Sequence, residues 1–232
     1  IQITDRQFQA ADEDGWWEFT SGNGPNTYGV TNQNGPDGDG VVADLHMPAG
    51  AEGHGAGSSP SATGYNFLSD FDEVYLAFYH KLSPNFQGHN SAINKLIFLH
   101  DESIGAGDSP MSVQLAGIGD GPFFYRVIVP QTGGDQTGSP VAYNPNVGSV
   151  TVTRDDWYLV EIYARMNSAD TSNGVFRMWV NGTQTHEYTN VRWSNVDRKW
   201  DAFKIMHVWG GTGDITASEI NHYIDRVYVS GK

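Results

Sequence analysis

The feature that most limits the fold is a series of short segments in which apolar and polar residues alternate. The segment at 73–82 is EVYLAFYHKL, so that Val74, Leu76 and Phe78 share one side while the residues between them share the other. Such alternation is typical of β-strands with one buried face. Comparable segments lie at 40–47, 94–100, 111–117, 122–130, 149–167, 174–188, 202–211 and 222–231. No segment has sustained helical periodicity, and the sequence therefore predicts an all-β protein.

The spacing of these segments predicts one domain. β-Sandwiches of about 200–250 residues commonly fold as one unit, and the chain has 232 residues with 28 glycines and 10 prolines for turns. Asn181 and Gly182 predict a two-residue type I′ hairpin turn. The Gly-rich stretches at 21–40 and 49–64 are predicted to be long loops, because predicted strands lie on both sides of them. We expect a single β-jelly-roll domain over 1–232, with two antiparallel sheets.

The charge of the chain limits its partners. It has 27 acidic and 13 basic residues and a formal net charge of −14. Nucleic acids and anionic membranes bind basic surfaces, so neither is expected as a partner. The sequence has no cysteine, which excludes disulfides and thiolate metal sites. A chain of this length can be stable outside the cell without disulfides, and we expect a secreted monomer.

Three segments in chain order carry a resemblance to a known family. They are AFYHKLSPNFQGHNSAINKLIFL at 77–99, WYLVEIYARMNSADTSNGVFRMWVNGT at 157–183, and FKIMHVWGGTGD with HYIDRVYVS within 203–230. Together they resemble the alginate and glucuronan lyases of polysaccharide lyase family fourteen. The resemblance implies a concanavalin A-like jelly roll and cleavage of a uronate-containing polysaccharide by β-elimination. The last two segments recur in many sandwiches of this type, including binding modules, so they indicate the fold better than the activity.

The resemblance also implies positions for the substrate groove. In the family, a lysine of the first segment lies on the concave sheet in the groove, and the matching residue is Lys95. The following groove strands carry Ser-x-Arg and Tyr-x-Tyr. The matching positions are Ser112, Gln114 in place of the arginine, and Tyr125 without a second tyrosine.

A uronate lyase removes the proton on C5, beside the carboxylate, and expels the sugar linked at C4. It needs a cation or strong donor for the carboxylate, together with a base and an acid whose pKa values are suited to these steps. Lys95, Tyr125 and His207 are the predicted catalytic residues. The predicted substrate-binding residues are Ser112, Gln114, Tyr79, Lys81, His80 and Trp209. For each of them a solvated or hydrogen-bonded structural role is the alternative.

The groove of a uronate lyase should be locally basic, although this chain is acidic overall. Lys95, Lys81 and Arg126 are the residues that would make it so. Strand parity places Arg126 on the face opposite Tyr125, and the expectation that Tyr125 lies in the groove therefore places Arg126 on the core side.

Two other classes of function stay open. A non-catalytic carbohydrate-binding domain would stack sugars on Tyr75, Tyr79, Trp179 or Trp209, since aromatic rings are common in such sites. A glycoside hydrolase would need two carboxylates about 5–9.5 Å apart. Glu161 is the best isolated candidate and Asp44 its partner, but the familiar E-x-D-x-E strand is absent.

The sequence also offers a site for a structural calcium ion. Asp37 and Asp39 lie in the Gly-rich segment NGPDGDG, and oxygen-rich loops suit this cation. By resemblance, Asp225 in YIDRVYV is where many concanavalin A-like sandwiches place a calcium ligand. The plain alternative is a polar turn. No H-E-x-x-H zinc motif occurs in the sequence, and no organic cofactor is expected.

Overall fold

The computed structural model describes residues 2–6, 16–20, 27–38, 40–52, 61–100, 111–129, 132–133, 136–137, 140–211 and 213–232. These residues contain seventeen strands and no helix. The strands are β1 (Gln2–Arg6), β2 (Trp16–Thr20), β3 (Thr27–Thr31), β4 (Val42–Met47), β5 (Ser61–Phe71), β6 (Glu73–Leu82), β7 (Asn94–His100), β8 (Met111–Ala116), β9 (Phe124–Val129), β10 (Thr132–Gly133), β11 (Gln136–Thr137), β12 (Val141–Tyr143), β13 (Tyr158–Arg165), β14 (Gly174–Val180), β15 (Thr183–Val191), β16 (Trp200–Trp209) and β17 (Ile220–Gly231).

The strands form two large antiparallel sheets. The order in the eight-stranded sheet is β15-β14-β13-β6-β17-β4-β3, with β1 also paired to β17. The order in the seven-stranded sheet is β12-β9-β8-β7-β16-β5-β2, and β10 and β11 form a separate two-stranded ribbon. The predicted all-β sandwich of two antiparallel sheets is confirmed. None of the described residues belongs to a helix that is long and apolar enough to cross a membrane.

The core lies between the two sheets and follows the alternation of the sequence. From β6, Leu76 and Phe78 are fully buried, and from β8 so are Val113 and Leu115. Each side chain of this size contributes about 1.5–3 kcal/mol to stability when it is fully buried. The residues between them lie on the outer faces of the sheets, where sites for ligands can form.

The hairpin between β14 and β15 has the predicted turn. Asn181 and Gly182 have φ angles of 49° and 75°, which type I′ turns require at both central positions. The Asn181 backbone N–H donates to the Leu159 carbonyl, and its side-chain oxygen accepts the Leu159 N–H, both at 2.8 Å. The turn therefore also ties β13 to the hairpin.

Candidate functional site

Three polar side chains lie next to each other on the outer side of the seven-stranded sheet. Lys95 of β7 is paired with Gln114 of β8, and Gln114 is paired with Arg126 of β9. Directly opposite residues of antiparallel strands have Cβ atoms about 4.5–5.5 Å apart, so the row is roughly 10 Å long. We call the side of the seven-stranded sheet that carries Lys95, Gln114 and Arg126 the front face.

A β-bulge places Lys95 on the front face. The pairing of β7 with β8 shifts between Lys95 and Ile97, and the pairing of β16 with β7 shifts between Ile205 and Val208. Leu96 and Ile97 are consecutive residues, yet both are fully buried in the core. The extra residue changes the parity of the strand. Lys95 can therefore face outward although two apolar neighbours face inward.

Hydrogen bonds connect the members of the row. Nη2 of Arg126 donates to Oε1 of Gln114 at 3.3 Å and to the Ala92 carbonyl at 3.0 Å. Nε2 of Gln114 donates to Oγ of Ser112 at 3.3 Å. Ser112 and Gln114 are each only 3% exposed. The amide and the guanidinium are therefore held in fixed positions, which is the property that a binding site for a planar carboxylate needs.

The row is basic, in contrast to the chain as a whole, because it contains Lys95 and Arg126 while β7, β8 and β9 contain no acidic residue. Burial lowers the pKa of both basic side chains. Lys204 of β16 adds a third basic residue on the same side, opposite Phe98. A polyanion that is repelled by most of the surface would therefore meet positive charge at the front face.

His100 is a further candidate on the front face that the sequence analysis missed. It ends β7 and is 4% exposed, and its ring centroid lies 6.1 Å from that of Phe98. Burial lowers the pKa of His100 to about 3, and Lys204 adds to the effect. Its Nε2 has no hydrogen-bond partner in the described part of the chain. The parity of NKLIFLH was the available signal, since it puts His100 on the same side as Phe98.

The prediction that Tyr125, His80 and His207 face the substrate is wrong, because all three lie in the core. The Tyr125 hydroxyl is 2.6 Å from Nδ1 of His80, and Nε2 of His80 is 2.8 Å from Nδ1 of His222. The ring of His207 stands perpendicular to that of His222, with centroids 4.3 Å apart. All four side chains are at most 2% exposed, and burial makes each of them resist ionisation.

The parity of β9 explains the error. Tyr125 and Val127 point into the core, so Arg126 between them points to the front face. This is the reverse of the predicted arrangement. The segment PFFYRVIVP is apolar at almost every position, and alternation could not show which set is buried. A tyrosine whose hydroxyl has a hydrogen-bond partner is as acceptable in a core as a valine.

The structure also separates Trp209, Tyr79 and Lys81 from the row. Trp209 is 5% exposed, and its Nε1 donates to the Gln87 carbonyl at 2.7 Å, so its ring is not an open stacking surface. Tyr79 and Lys81 lie on the outer side of β6, in the other sheet. Nζ of Lys81 is 3.5 Å from a carboxylate oxygen of Asp155. On the front face, the structure brings together three of the predicted groove residues, Lys95, Ser112 and Gln114.

The carboxylates predicted for calcium have another partner. Asp37 forms an ion pair with Arg226, and Oδ1 of Asp225 accepts the backbone N–H of Arg226 at 2.8 Å. Asp39 lies outside the described residues. Where the structure describes the chain, no three His, Asp or Glu side chains are grouped so that they could hold a metal ion. In the structure Asp37 and Asp225 therefore each have a partner within the protein, and the calcium site stays a prediction.

The carboxylate pair predicted for a hydrolase is also too far apart. Glu161 of β13 accepts the Tyr75 hydroxyl at 2.6 Å, and Asp44 of β4 accepts the Asn221 amide at 2.8 Å. Two strands, β6 and β17, lie between β13 and β4. Three spacings of about 4.8 Å separate them by roughly 14 Å, beyond the distance that either hydrolase mechanism uses.

Comparisons with known proteins identify the fold. No protein-family model and no curated protein sequence matches the chain. Among solved structures, an endo-β-1,4-glucuronan lyase from the fungus Trichoderma reesei aligns with TM-score 0.70 and 16% identity over 100% of this chain and 96% of that chain. A marine PL-14 alginate lyase from Aplysia kurodai aligns with TM-score 0.69 and 9% identity over 100% of both chains.

A third solved structure shares the fold. Its description concerns endo-acting O-glycanases that members of the human gut microbiota express to initiate mucin breakdown, and it aligns with TM-score 0.61 and 13% identity over 99% of this chain and 98% of that chain. The jelly roll implied by the resemblance is therefore confirmed. Because one fold can carry different reactions, the side chains on the front face, and not the fold, determine the reaction.

Proposed function

We propose that this protein is a polysaccharide lyase that cleaves a uronate-containing polysaccharide by β-elimination on its front face. The observation that carries the proposal is the row of Lys95, Gln114 and Arg126, a fixed basic site in a chain with a net charge of −14. The likeness to a glucuronan lyase and an alginate lyase supports the same reaction.

The row can stabilise the charge that develops during elimination. Removal of the C5 proton leaves an electron pair that delocalises onto the adjacent carboxylate. Arg126, whose position Gln114 fixes, would bind that carboxylate through charge-assisted hydrogen bonds and favour the anionic intermediate. The pair then forms the C4–C5 double bond, the bond from C4 to the leaving oxygen breaks, and that oxygen takes a proton.

Lys95 is the best placed base for the first step. It is next to Gln114 in the row, and burial lowers its pKa, so the neutral amine is more accessible than in an exposed lysine. The neutral amine takes the C5 proton, and the resulting ammonium can return a proton to the leaving oxygen. In this mechanism one residue serves as base and then as acid.

The experiment is an incubation with alginate, polyglucuronate, pectate and heparin-type chains. The expected result is a rise in ultraviolet absorbance from the unsaturated uronate on at least one of them. Lys95→Ala should abolish that rise, and Arg126→Ala should lower kcat/KM by about 100-fold or more, as expected for loss of a transition-state donor.

Lys199→Ala is the matched control, because Lys199 is an exposed lysine whose partner is Asp72, away from the row. It should leave the rate unchanged. If no substrate gives a rise, or if Lys95→Ala keeps the full rate, the proposed reaction is wrong.

A secreted location follows from the proposed substrate, because a polysaccharide is too large to enter a cell intact. Detection of the protein in the culture medium of the organism that makes it, and not in washed cells, would support this part of the proposal. Detection only inside cells would contradict it.

A further inference from the structure

On the opposite side of the molecule, the small residue Ala77 lies among longer side chains, and we call this position the hollow. We call the outer side of the eight-stranded sheet that carries Ala77, Tyr79 and Glu161 the back face. Ala77 of β6 is paired with Glu161 of β13 on one side and with Tyr228 of β17 on the other. Tyr75 and Tyr79 lie two residues before and after it on the same strand. A methyl group is therefore surrounded by four long side chains.

The rim of the hollow is held rigidly. The Tyr75 hydroxyl donates to Oε1 of Glu161 at 2.6 Å, and the rings of Tyr75 and Tyr228 meet edge to face with centroids 6.1 Å apart. Burial raises the pKa of Tyr75 well above its ordinary value, and Glu161 raises it further, so the hydroxyl stays protonated. Rings that are fixed in advance lose little conformational entropy when they bind a ligand.

Two other rings of the back face have no side-chain partner among the residues that the structure describes. Trp179 of β14 is paired with Glu161 in the sheet, and Tyr79 is paired with Leu159. Both are half-buried. Neither contacts another ring or forms a side-chain hydrogen bond within the described part of the chain. Tryptophan and tyrosine in this state provide rigid contact area for a ligand at low entropic cost.

The charges around the hollow determine the class of ligand. The carboxylates of Glu161 and Glu73 accept tyrosine hydroxyls, and the nearby Arg177 is paired with Glu187 at 3.1 Å. Lys81, on the same side of β6, is likewise 3.5 Å from a carboxylate oxygen of Asp155. A polyuronate would therefore meet carboxylates here, and Lys81 and Arg177 already have acidic partners. A neutral sugar would pack the C–H side of its ring on an aromatic ring and donate a hydroxyl to the second oxygen of Glu161.

From these observations, we propose that the back face is a second binding site that takes a neutral polysaccharide. The site extends from Trp179 across Glu161 and Ala77 to Tyr228. These four strands span roughly 14 Å, so a short stretch of glycan fits better than a single sugar. The proposal does not depend on the lyase activity, because the core separates the back face from the front face.

The test is native electrophoresis in gels that contain soluble neutral polysaccharides, namely a β-glucan, a xylan, a galactomannan or hydroxyethyl cellulose, with alginate as the charged comparison. The protein should be retarded by at least one neutral polymer. Titration calorimetry with the matching hexasaccharide then gives the affinity. Trp179→Ala and Tyr79→Ala should each weaken binding by about tenfold, as for a typical interface anchor.

Ala77→Gln is the decisive variant, since it fills the hollow and leaves every ring in place. It should abolish retardation, while its thermal unfolding stays close to that of the unchanged protein because the position faces outward. Lys95→Ala is the matched control on the front face and should be retarded normally. The proposal is overturned if no neutral polymer retards the protein, or if Lys95→Ala and not Ala77→Gln removes the retardation.

Discussion

At the scale of single residues, the front face depends on which side of a strand each polar group occupies. The resemblance implies Ser112 and Gln114 as groove positions, and in the structure both lie on the same side of β8. Arg126 was expected on the core side, and instead it donates to Gln114. The arginine that the family carries on the same strand as the serine is therefore replaced here by a glutamine with an arginine next to it.

The two candidate bases differ in how the rate should depend on pH. If Lys95 is the base, kcat/KM should rise from about pH 6 into the alkaline range, because the amine must lose its proton first. If His100 is the base, the rate should already be level there, since burial lowers the pKa of His100 to about 3 and the ring is neutral. The measurement is kcat/KM against pH for the unchanged protein and for His100→Gln.

We expect the rising profile, with His100→Gln retaining its shape. A level profile that His100→Gln abolishes would instead assign the base to His100 and leave Lys95 with a binding role.

At the scale of strands and their connections, the end of β16 holds the loop that leads to Lys95. Gly210 follows β16 with a φ of 64°, and its backbone N–H donates to the Ile93 carbonyl at 2.7 Å. A Cβ at Gly210 would lie 1.8 Å from the ring of His89. His89 is buried, and its ring packs edge to face on Trp209 with centroids 4.7 Å apart.

Gly210→Ala should therefore destabilise the protein by about 2–4 kcal/mol, from the left-handed backbone and from displacement of a packed ring. Gly211→Ala is the matched control, because a Cβ at Gly211 would meet nothing within 4 Å. Its effect should be below about 1 kcal/mol. The measurement is urea unfolding of both variants. Equal effects would contradict the close contact between Gly210 and His89.

The calcium prediction belongs to this scale too, because it concerns one loop. Asp37 pairs with Arg226. A calcium ion bound by Asp37 and Asp39 would therefore have to displace Arg226 from Asp37 or bind beside it. If a structural calcium is present, EDTA should lower the melting temperature and added calcium should restore it. Arg226→Gln should then increase the calcium dependence by freeing Asp37. A melting temperature that EDTA does not change would contradict the prediction.

At the scale of the whole molecule, the two faces and the core have different chemistry. The net charge of −14 predicts that polyanions are repelled, but the front face gathers Lys95, Arg126 and Lys204. The back face combines aromatic rings with carboxylates. Between them, the core contains the cluster of Tyr125, His80, His222 and His207. A net charge therefore describes the average surface and not the site.

The buried histidines should make the protein sensitive to acid. Burial lowers the pKa of His80 and His207 to about 3, and it lowers that of His222 well below its ordinary value. Above about pH 6.5 all three are neutral in both states, so they do not affect stability. At lower pH the unfolded chain binds protons that the folded chain excludes, so stability falls as pH falls towards about 3.

For three histidines the slope can reach roughly 4 kcal/mol per pH unit. Urea unfolding between about pH 7 and pH 4 measures it. His100 and His186, whose pKa values burial lowers to about 3 and about 4, add to the slope. His207→Gln should therefore reduce the total slope by about a fifth, whatever it does to the stability at neutral pH. A stability that is constant over this range would contradict the buried, neutral cluster.

The sequence by itself determined the all-β class, the antiparallel sandwich and the Asn181-Gly182 hairpin, because alternation and turn residues act over a few neighbouring positions. Only the tertiary structure decided that Arg126 joins Lys95 while Tyr125 and His207 enter the core. Those outcomes depend on a bulge in β7 and on hydrogen bonds between residues far apart in the chain, such as His80 with His222, which are 142 positions apart. A local pattern has no information about partners that distant in the chain.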